Sequence, residues 1–462
     1  MAGFPLTRPE VGVSVLLSVL VAVCLQVSPP ATPSSARTSV MKGPPMAPPP
    51  PPNVVIVLAD DFGVDLVGAY GEGADPPCTP TLDLLAQQGL LFRNAWANPT
   101  CSPTRAAVLT GRHGFRTGIG SPVTSSGLQP NMNTILPEML NGYANAAVGK
   151  WHLANGQNDN HPGVSGFDRF AGTISGALPS YDDWTKVTDG QSSPTKIYAT
   201  TDTTDEAIGA VQSLPEPFFL YVSYHAPHSP HHVPDSSLCP PGSPACPHVF
   251  CGNLPPNPSA ADRVKAMTEA LDTEFARLMA TIDDQAPNTV VIFMGDNGTA
   301  PQASQPPFAN GHAKGTVYEG GVNVPLIVRG PGVDAGETQA LVSAVDLFAT
   351  CAELAGVRAT TEDSVSMVPC FSDAALSPRA TVYSEGFSPN HGTLPFSDHD
   401  RAVRGPRYKL IRRTGQPDEL YDLWTDAFET DDLLAPAFPG LSVEEQEAYD
   451  ALAAELTTLG VG

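Results

Sequence analysis

Four short apolar runs in this 462-residue chain end abruptly in polar residues capable of chemistry. Val54 to Leu58 runs into Asp60-Asp61, Ala144 to Val148 into Gly149-Lys150-Trp151-His152, Phe218 to Val222 into His225 and His228, and Val290 to Met294 into Asp296-Asn297. Uninterrupted apolar runs of this length suit strands covered on both faces, as in a parallel α/β sheet. Segments between them, such as Pro80 to Gln88 and Ala260 to Thr281, carry helical spacing. In open α/β sheets ligands bind beyond the carboxyl ends of the strands, so four polar strand ends are expected to converge on one crevice.

From about residue 341 the texture changes. A helix is expected over Val342 to Gly356, then strand-like pieces at Ala380 to Ser384, Arg401 to Arg404, Tyr408 to Arg412 and Glu419 to Leu423, then a helical tail. We therefore expect a large α/β catalytic domain over 53–340 and a smaller α+β domain over 341–462.

At the other end, an apolar run from Val11 to Val27 follows Arg8 and precedes Ser34-Ser35-Ala36. This reads as an export signal over 1–36, with a stiff proline-rich spacer over 37–52. The expected location is periplasmic or secreted; an uncleaved anchor, or a lipid on Cys24, is the alternative. Setting aside Cys24 and Cys101 leaves Cys78, Cys239, Cys246, Cys251, Cys351 and Cys370, an even number compatible with disulfides. A zinc knuckle of Cys239, Cys246, Cys251 and His248 is the weaker reading.

The formal charge of −24 argues against nucleic acid or an anionic membrane surface as partner. It also makes the seven lysines informative, because Lys150 and Lys314 both fall in motifs. Asp60, Asp61, Asp296 and Asn297 offer only oxygen, which hard Ca²⁺ or Mg²⁺ prefers, although any single aspartate there could cap a helix. Cys101-Ser102-Pro103-Thr104-Arg105 is a C-x-P-x-R run continued by Leu109-Thr110-Gly111-Arg112. Alone, the pentapeptide fits a plain cysteine in a Pro-kinked turn equally well. Arg105 lies one helical turn beyond Cys101 and can reach back toward it. Lys150 and His152 flank Trp151, which in an extended segment puts both on one face. His225, His228, His231 and His232 form a histidine-rich tract with no assignment from composition alone.

Taken in order, the paired aspartates, C-x-P-x-R, G-K-W-H-L, A-P-H-x-P, G-D-N-G and the K-G-x-x-Y-E-G-G run from Lys314 resemble type I, formylglycine-dependent sulfatases of the alkaline phosphatase superfamily. The likeness extends from about Asn53 to Leu434. It implies a large α/β/α sandwich with a mixed, mainly parallel sheet, plus a small domain on a four-stranded antiparallel sheet. It implies that a maturation enzyme oxidises Cys101 to formylglycine, and that Asp60, Asp61, Asp296, Asn297 and residue 101 surround calcium, with magnesium the alternative. The hydrated aldehyde would attack sulfur while Arg105, Lys150 and Lys314 stabilise charge. His228 would protonate the leaving oxygen, and His152 would remove a proton from the second hydroxyl to expel sulfate. Thr104 departs from the family's usual Ser. The substrate is expected to be a small or saccharide organosulfate, but 155–195 and 236–260 carry no motif that names it, and nothing sets the oligomeric state. Two rivals remain: a phosphonate monoester or phosphodiester hydrolase, and a silent calcium-binding protein in which Cys101 stays a thiol.

Overall fold

The apolar runs are strands of one large sheet. The computed structural model describes residues 50–462 except 157, 243–245, 247–248, 309–310 and 360. The expected export signal, Cys24, most of the proline-rich spacer and His248 lie outside the described residues. The sheet contains β1 (Asn53–Ala59), β2 (Leu90–Trp96), β3 (Ala144–Lys150), β4 (Arg169–Thr173), β5 (Trp184–Thr188), β6 (Gln191–Thr195), β7 (Phe218–Ser223), β8 (Thr289–Gly295), β9 (Leu326–Arg329) and β10 (Gly336–Ser343). Their order is β10-β2-β9-β8-β1-β7-β3-β4-β5-β6. β8, β1, β7, β3 and β4 are mutually parallel, whereas β9 runs antiparallel to both its neighbours and β5-β6 is an antiparallel hairpin at the edge.

Alternation along β1 shows why the run is wholly apolar. Val54, Ile56 and Leu58 enter one buried cluster, and Val55, Val57 and Ala59 another. Helices Cys101–Thr110 and Asp346–Leu354 cover the first face; helices Pro80–Gln88, Ala199–Ser213 and Ala260–Gln285 cover the second. The longest of these starts at a Ser259/Asp262 capping box and buries Val264, Met267, Leu271, Phe275, Leu278 and Ile282 at helical spacing. Each such side chain contributes about 1.5–3 kcal/mol of burial, so one charge at Leu271 would unseat the helix.

A second sheet of β11 (Val382–Ser388), β12 (Asp398–Arg404), β13 (Tyr408–Arg413) and β14 (Glu419–Asp422) is antiparallel throughout. Helix Val443–Leu459 places Leu452 and Leu456 against Val403, Leu410 and Leu420 of this sheet. The expected helix from Val342 is shorter, Asp346–Leu354, because residues 336–343 pair with β2 and complete the large sheet. The large sheet therefore draws on residues past 340, and the antiparallel sheet begins only at Val382.

The cysteines divide unevenly. Cys78 bonds to Cys246 and Cys239 to Cys251, while Cys351 and Cys370 are buried free thiols. The zinc-knuckle reading is thereby corrected, since its three cysteines are oxidised in pairs and have no thiolate to give a metal.

Candidate active site

Four neighbouring parallel strands, β8-β1-β7-β3, deliver the residues that sequence spacing marked. Asp60 and Asp61 follow β1, Asp296 and Asn297 follow β8, Lys150 ends β3, and His225 and His228 follow β7. Cys101 is the first residue of its helix. That helix is buried along its whole length, so its N-terminus is fixed from all sides.

Arg105 is fully buried and wholly engaged. Its Nη2 lies 2.7 Å and its Nε 3.2 Å from Asp296 Oδ2, and Nη1 donates to the Lys150 carbonyl at 2.9 Å and to Ser223 Oγ. These bonds make it the orienter of Asp296, a commitment that the one-turn spacing from Cys101 did not show. Lys150 pairs with Asp60 and Lys314 with Asp61. Of the two lysines, Lys314 keeps some exposure, with 19% of its side chain accessible.

His152 reaches the site by a route the spacing did not show. Its φ is +54°, a left-handed backbone, so the segment is not extended there and same-face alternation does not apply. The turn aims Nδ1 at Cys101 Sγ, 3.1 Å away, while Ser102 Oγ donates to the His152 carbonyl at 2.9 Å. Gly176 lies flat on the imidazole: a Cβ there would stand 2.1 Å from Nε2. Burial first, then the charges of Lys150 and Arg105, hold His152 well below the usual histidine range, so it is a neutral base at pH 7. Burial pushes the Cys101 thiol up to about 11 despite Lys150, so an unmodified Cys101 is protonated and a poor nucleophile at neutral pH.

The oxygen cluster fits a hard cation. Ligand atoms of Asp60, Cys101 and Asp296 lie within 4.8 Å of one another, as do those of Asp60, Asp61 and His228. Asp60 Oδ1 and Asn297 Oδ1 are buried with no hydrogen-bond partner among the described residues, an expensive arrangement unless something electropositive binds them. The Asn297 amide is oriented by its Nδ2, which donates to Asp61 Oδ1 and to the Gly298 carbonyl, each at 3.0 Å. Burial opposes charge on both central carboxylates. For Asp60 the surrounding cations, Lys150 foremost, win and hold it well below the usual range; for Asp296 burial and the Asp60 charge win and push it up to about 7. A dication between them would relieve that conflict. Asn297 is itself fully buried, as a residue inside the site.

His228 is partly exposed and its Nδ1 donates to the Ser229 carbonyl at 2.8 Å, which leaves Nε2 as the nitrogen able to give or take a proton.

The family model described as Sulfatase matches residues 52–357, and the C-terminal model of N-sulphoglucosamine sulphohydrolase matches 311–449. N-acetylgalactosamine-6-sulfatase of Sus scrofa is 32% identical over 384 residues, covering 72% of this chain and 68% of that protein. This chain belongs to the sulfatase family. The uncharacterized sulfatase YdeN of Escherichia coli K12 is 30% identical, covering 64% of this chain and 57% of its own. Among solved structures, Ps i-CgsB in complex with k-i-k-neocarrahexaose superposes with a TM-score of 0.74 at 25% identity, covering 88% of this chain and 92% of that one. The fold is also that of BT4656 in complex with its substrate D-glucosamine-2-N,6-O-disulfate, with a TM-score of 0.68 at 20% identity over 88% and 97% of the two chains. This sulfatase is thus a hydrolase of sulfuric esters, the reading that its family and relatives support over the phosphonate, phosphodiester and silent-protein alternatives.

Residues that sequence reasoning left aside also serve the site. Ser223 anchors Arg105, and Thr173 Oγ1 meets His225 Nε2 at 2.9 Å. Thr104 fits in place of Ser: its hydroxyl accepts the Asn98 N–H at 2.9 Å and its methyl is buried. Ser223 and Thr173 lie in no motif, so nothing in the sequence marked them.

Proposed function

We propose that this sulfatase is an exported, metal-dependent enzyme that carries formylglycine at position 101 and hydrolyses sulfate esters of a saccharide. The carrying observation is the pair of orphaned buried oxygens, Asp60 Oδ1 and Asn297 Oδ1, beside Cys101 Sγ and the neutral His152. Asp60, Asp61, Asp296 and Asn297, with residue 101, would hold calcium, or magnesium in its place. That cation supplies Lewis-acid stabilisation of charge on a bound sulfate. Formylglycine, once generated from Cys101 by a maturation enzyme, supplies as its hydrate an oxygen nucleophile that a buried thiol does not provide.

The chain's own residues carry the remaining work. Lys314 and Lys150, which pair with Asp61 and Asp60, would present ammonium groups to sulfate oxygens. Arg105 keeps Asp296 in place through two N–H donors on one carboxylate oxygen. His228 delivers a proton from Nε2 to the leaving alcohol. His152 receives a proton at Nδ1 from a hydroxyl at position 101. The saccharide assignment is supported by the solved structures of Ps i-CgsB with k-i-k-neocarrahexaose and of BT4656 with D-glucosamine-2-N,6-O-disulfate. Export is supported by the apolar run of Val11 to Val27 and by two disulfides that a reducing compartment would not keep. Elemental analysis together with turnover of sulfated monosaccharides tests the proposal; stoichiometric zinc in active enzyme, or activity on aryl sulfates with none on sugar sulfates, would overturn it.

A further inference from the structure

The turn that presents His228 is closed by its own backbone, the His228 N–H donating to the His225 carbonyl at 2.8 Å. Tyr181, from the long segment between β4 and β5, reaches the same turn. Its phenol oxygen stands 2.9 Å from the His225 carbonyl and 2.7 Å from the His228 carbonyl, so one O–H donates into both. The ring is 2% exposed. It packs on the His232 ring at 4.4 Å and the Tyr198 ring at 5.7 Å, while the Tyr181 carbonyl accepts the Ala199 N–H at 2.9 Å at the start of the helix Ala199–Ser213. His232 is fixed in turn by Nδ1 on the Pro230 carbonyl at 2.9 Å and Nε2 on Tyr198 Oη at 3.0 Å. The hydroxyl is therefore held from behind by rigid packing and in front by the two carbonyls that bracket the His225–His228 turn.

The geometry points to Tyr181 as a positioning residue for the sulfatase reaction, its hydroxyl setting where His228 Nε2 stands relative to the leaving oxygen. The inference rests on the reading of His228 as proton donor. A histidine that swings by an ångström loses proton transfer before it loses anything else, because that step needs near-linear contact with the leaving oxygen. Burial holds the phenol well above its ordinary range, so the O–H remains a donor at every pH at which the enzyme would work.

The test is a double-mutant cycle of Tyr181→Phe and His228→Ala, each assayed on a saccharide sulfate and on nitrophenyl sulfate. Tyr181→Phe keeps the ring and removes only the donor. On the saccharide sulfate it is expected to lower kcat on the order of tenfold, the scale of one lost hydrogen bond, with KM changed less than about twofold. On nitrophenyl sulfate, whose leaving group needs little protonation, the loss should stay within about twofold. In the His228→Ala background the Tyr181→Phe effect should disappear. The same factor lost in both backgrounds, or no loss in either, overturns the inference. The His228 reading fails separately, if His228→Ala slows both sulfates equally, and the cycle still reports whether Tyr181 acts through His228. Replacing Tyr181 with para-aminophenylalanine restores a donor at the same place and should recover most of the lost kcat; a variant that folds with an unchanged melting temperature and recovers nothing also counts against the role.

Discussion

Two residues at the centre of the site make opposite demands on their surroundings. In the proposed reaction position 101 becomes an oxygen nucleophile, and burial, which pushes the thiol up to about 11, disfavours a thiolate there. Cys101→Ser should therefore abolish turnover, because a serine hydroxyl cannot form the gem-diol; a substantial residual kcat on a saccharide sulfate would contradict this. His152, by contrast, must stay neutral, and burial with the Lys150 and Arg105 charges arranges that. Its folded pKa lies below its ordinary value, so the base is lost only as pH falls through that depressed value. The acid limb of kcat should accordingly lie below the ordinary histidine range in a pH profile. His152→Ala should release alcohol in a burst of about one equivalent per chain and then stall, since the step it serves follows departure of the leaving group. Gly176→Ala drives a methyl into the imidazole and should give a weaker version of the same burst; a uniform slowing with no burst would place His152 earlier in the reaction.

At the scale of elements, the strand ends carry the proposed metal site and the charges that balance it. Asp296→Ala would remove a ligand but also strand Arg105 as an unpaired buried charge, at a cost of about 3–5 kcal/mol in stability. Asn297→Ala is the cleaner probe, because its Oδ1 has no protein partner to lose among the described residues. Calcium at about a hundred times its Kd should stabilise the parent by roughly 2.7 kcal/mol and Asn297→Ala much less, read as melting temperature with and without chelator. Equal stabilisation of both would remove Asn297 from the site. The elements were largely legible because four of the motifs sit at the ends of apolar runs that suit doubly covered strands, and because β11 to β14 keep strand texture in a polar setting. What was not legible depended on contacts between distant segments. The approach of His152 to Cys101, the commitment of Arg105 to Asp296, and Tyr181 on the His228 turn all pair residues 47 to 191 positions apart, with no local pattern to mark them. The helix expected from Val342 began late because an apolar stretch suits a buried strand and a buried helix alike, and pairing with β2 decided between them.

For the whole molecule, the disulfide between Cys78 and Cys246 spans 168 residues and ties Cys246, in the 236–260 stretch, back to the segment before the helix Pro80–Gln88. Replacing both cysteines by alanine should cost about 2–5 kcal/mol, measured by denaturant unfolding. A negligible loss would mean that Glu269 suffices, since its carboxylate already accepts the N–H groups of Cys78, Phe250 and Cys251. An acidic molecule of charge −24 that acts on a sulfated, hence anionic, substrate must concentrate its few cations where the substrate lands, and Lys150 and Lys314 stand at the site. All of this chemistry turns on the species at position 101. Peptide mass spectrometry of active enzyme from its native host, combined with hydrazide labelling, is the most direct measurement: the account predicts an aldehyde in place of the Cys101 thiol, and fully active enzyme carrying only unmodified cysteine there would contradict it.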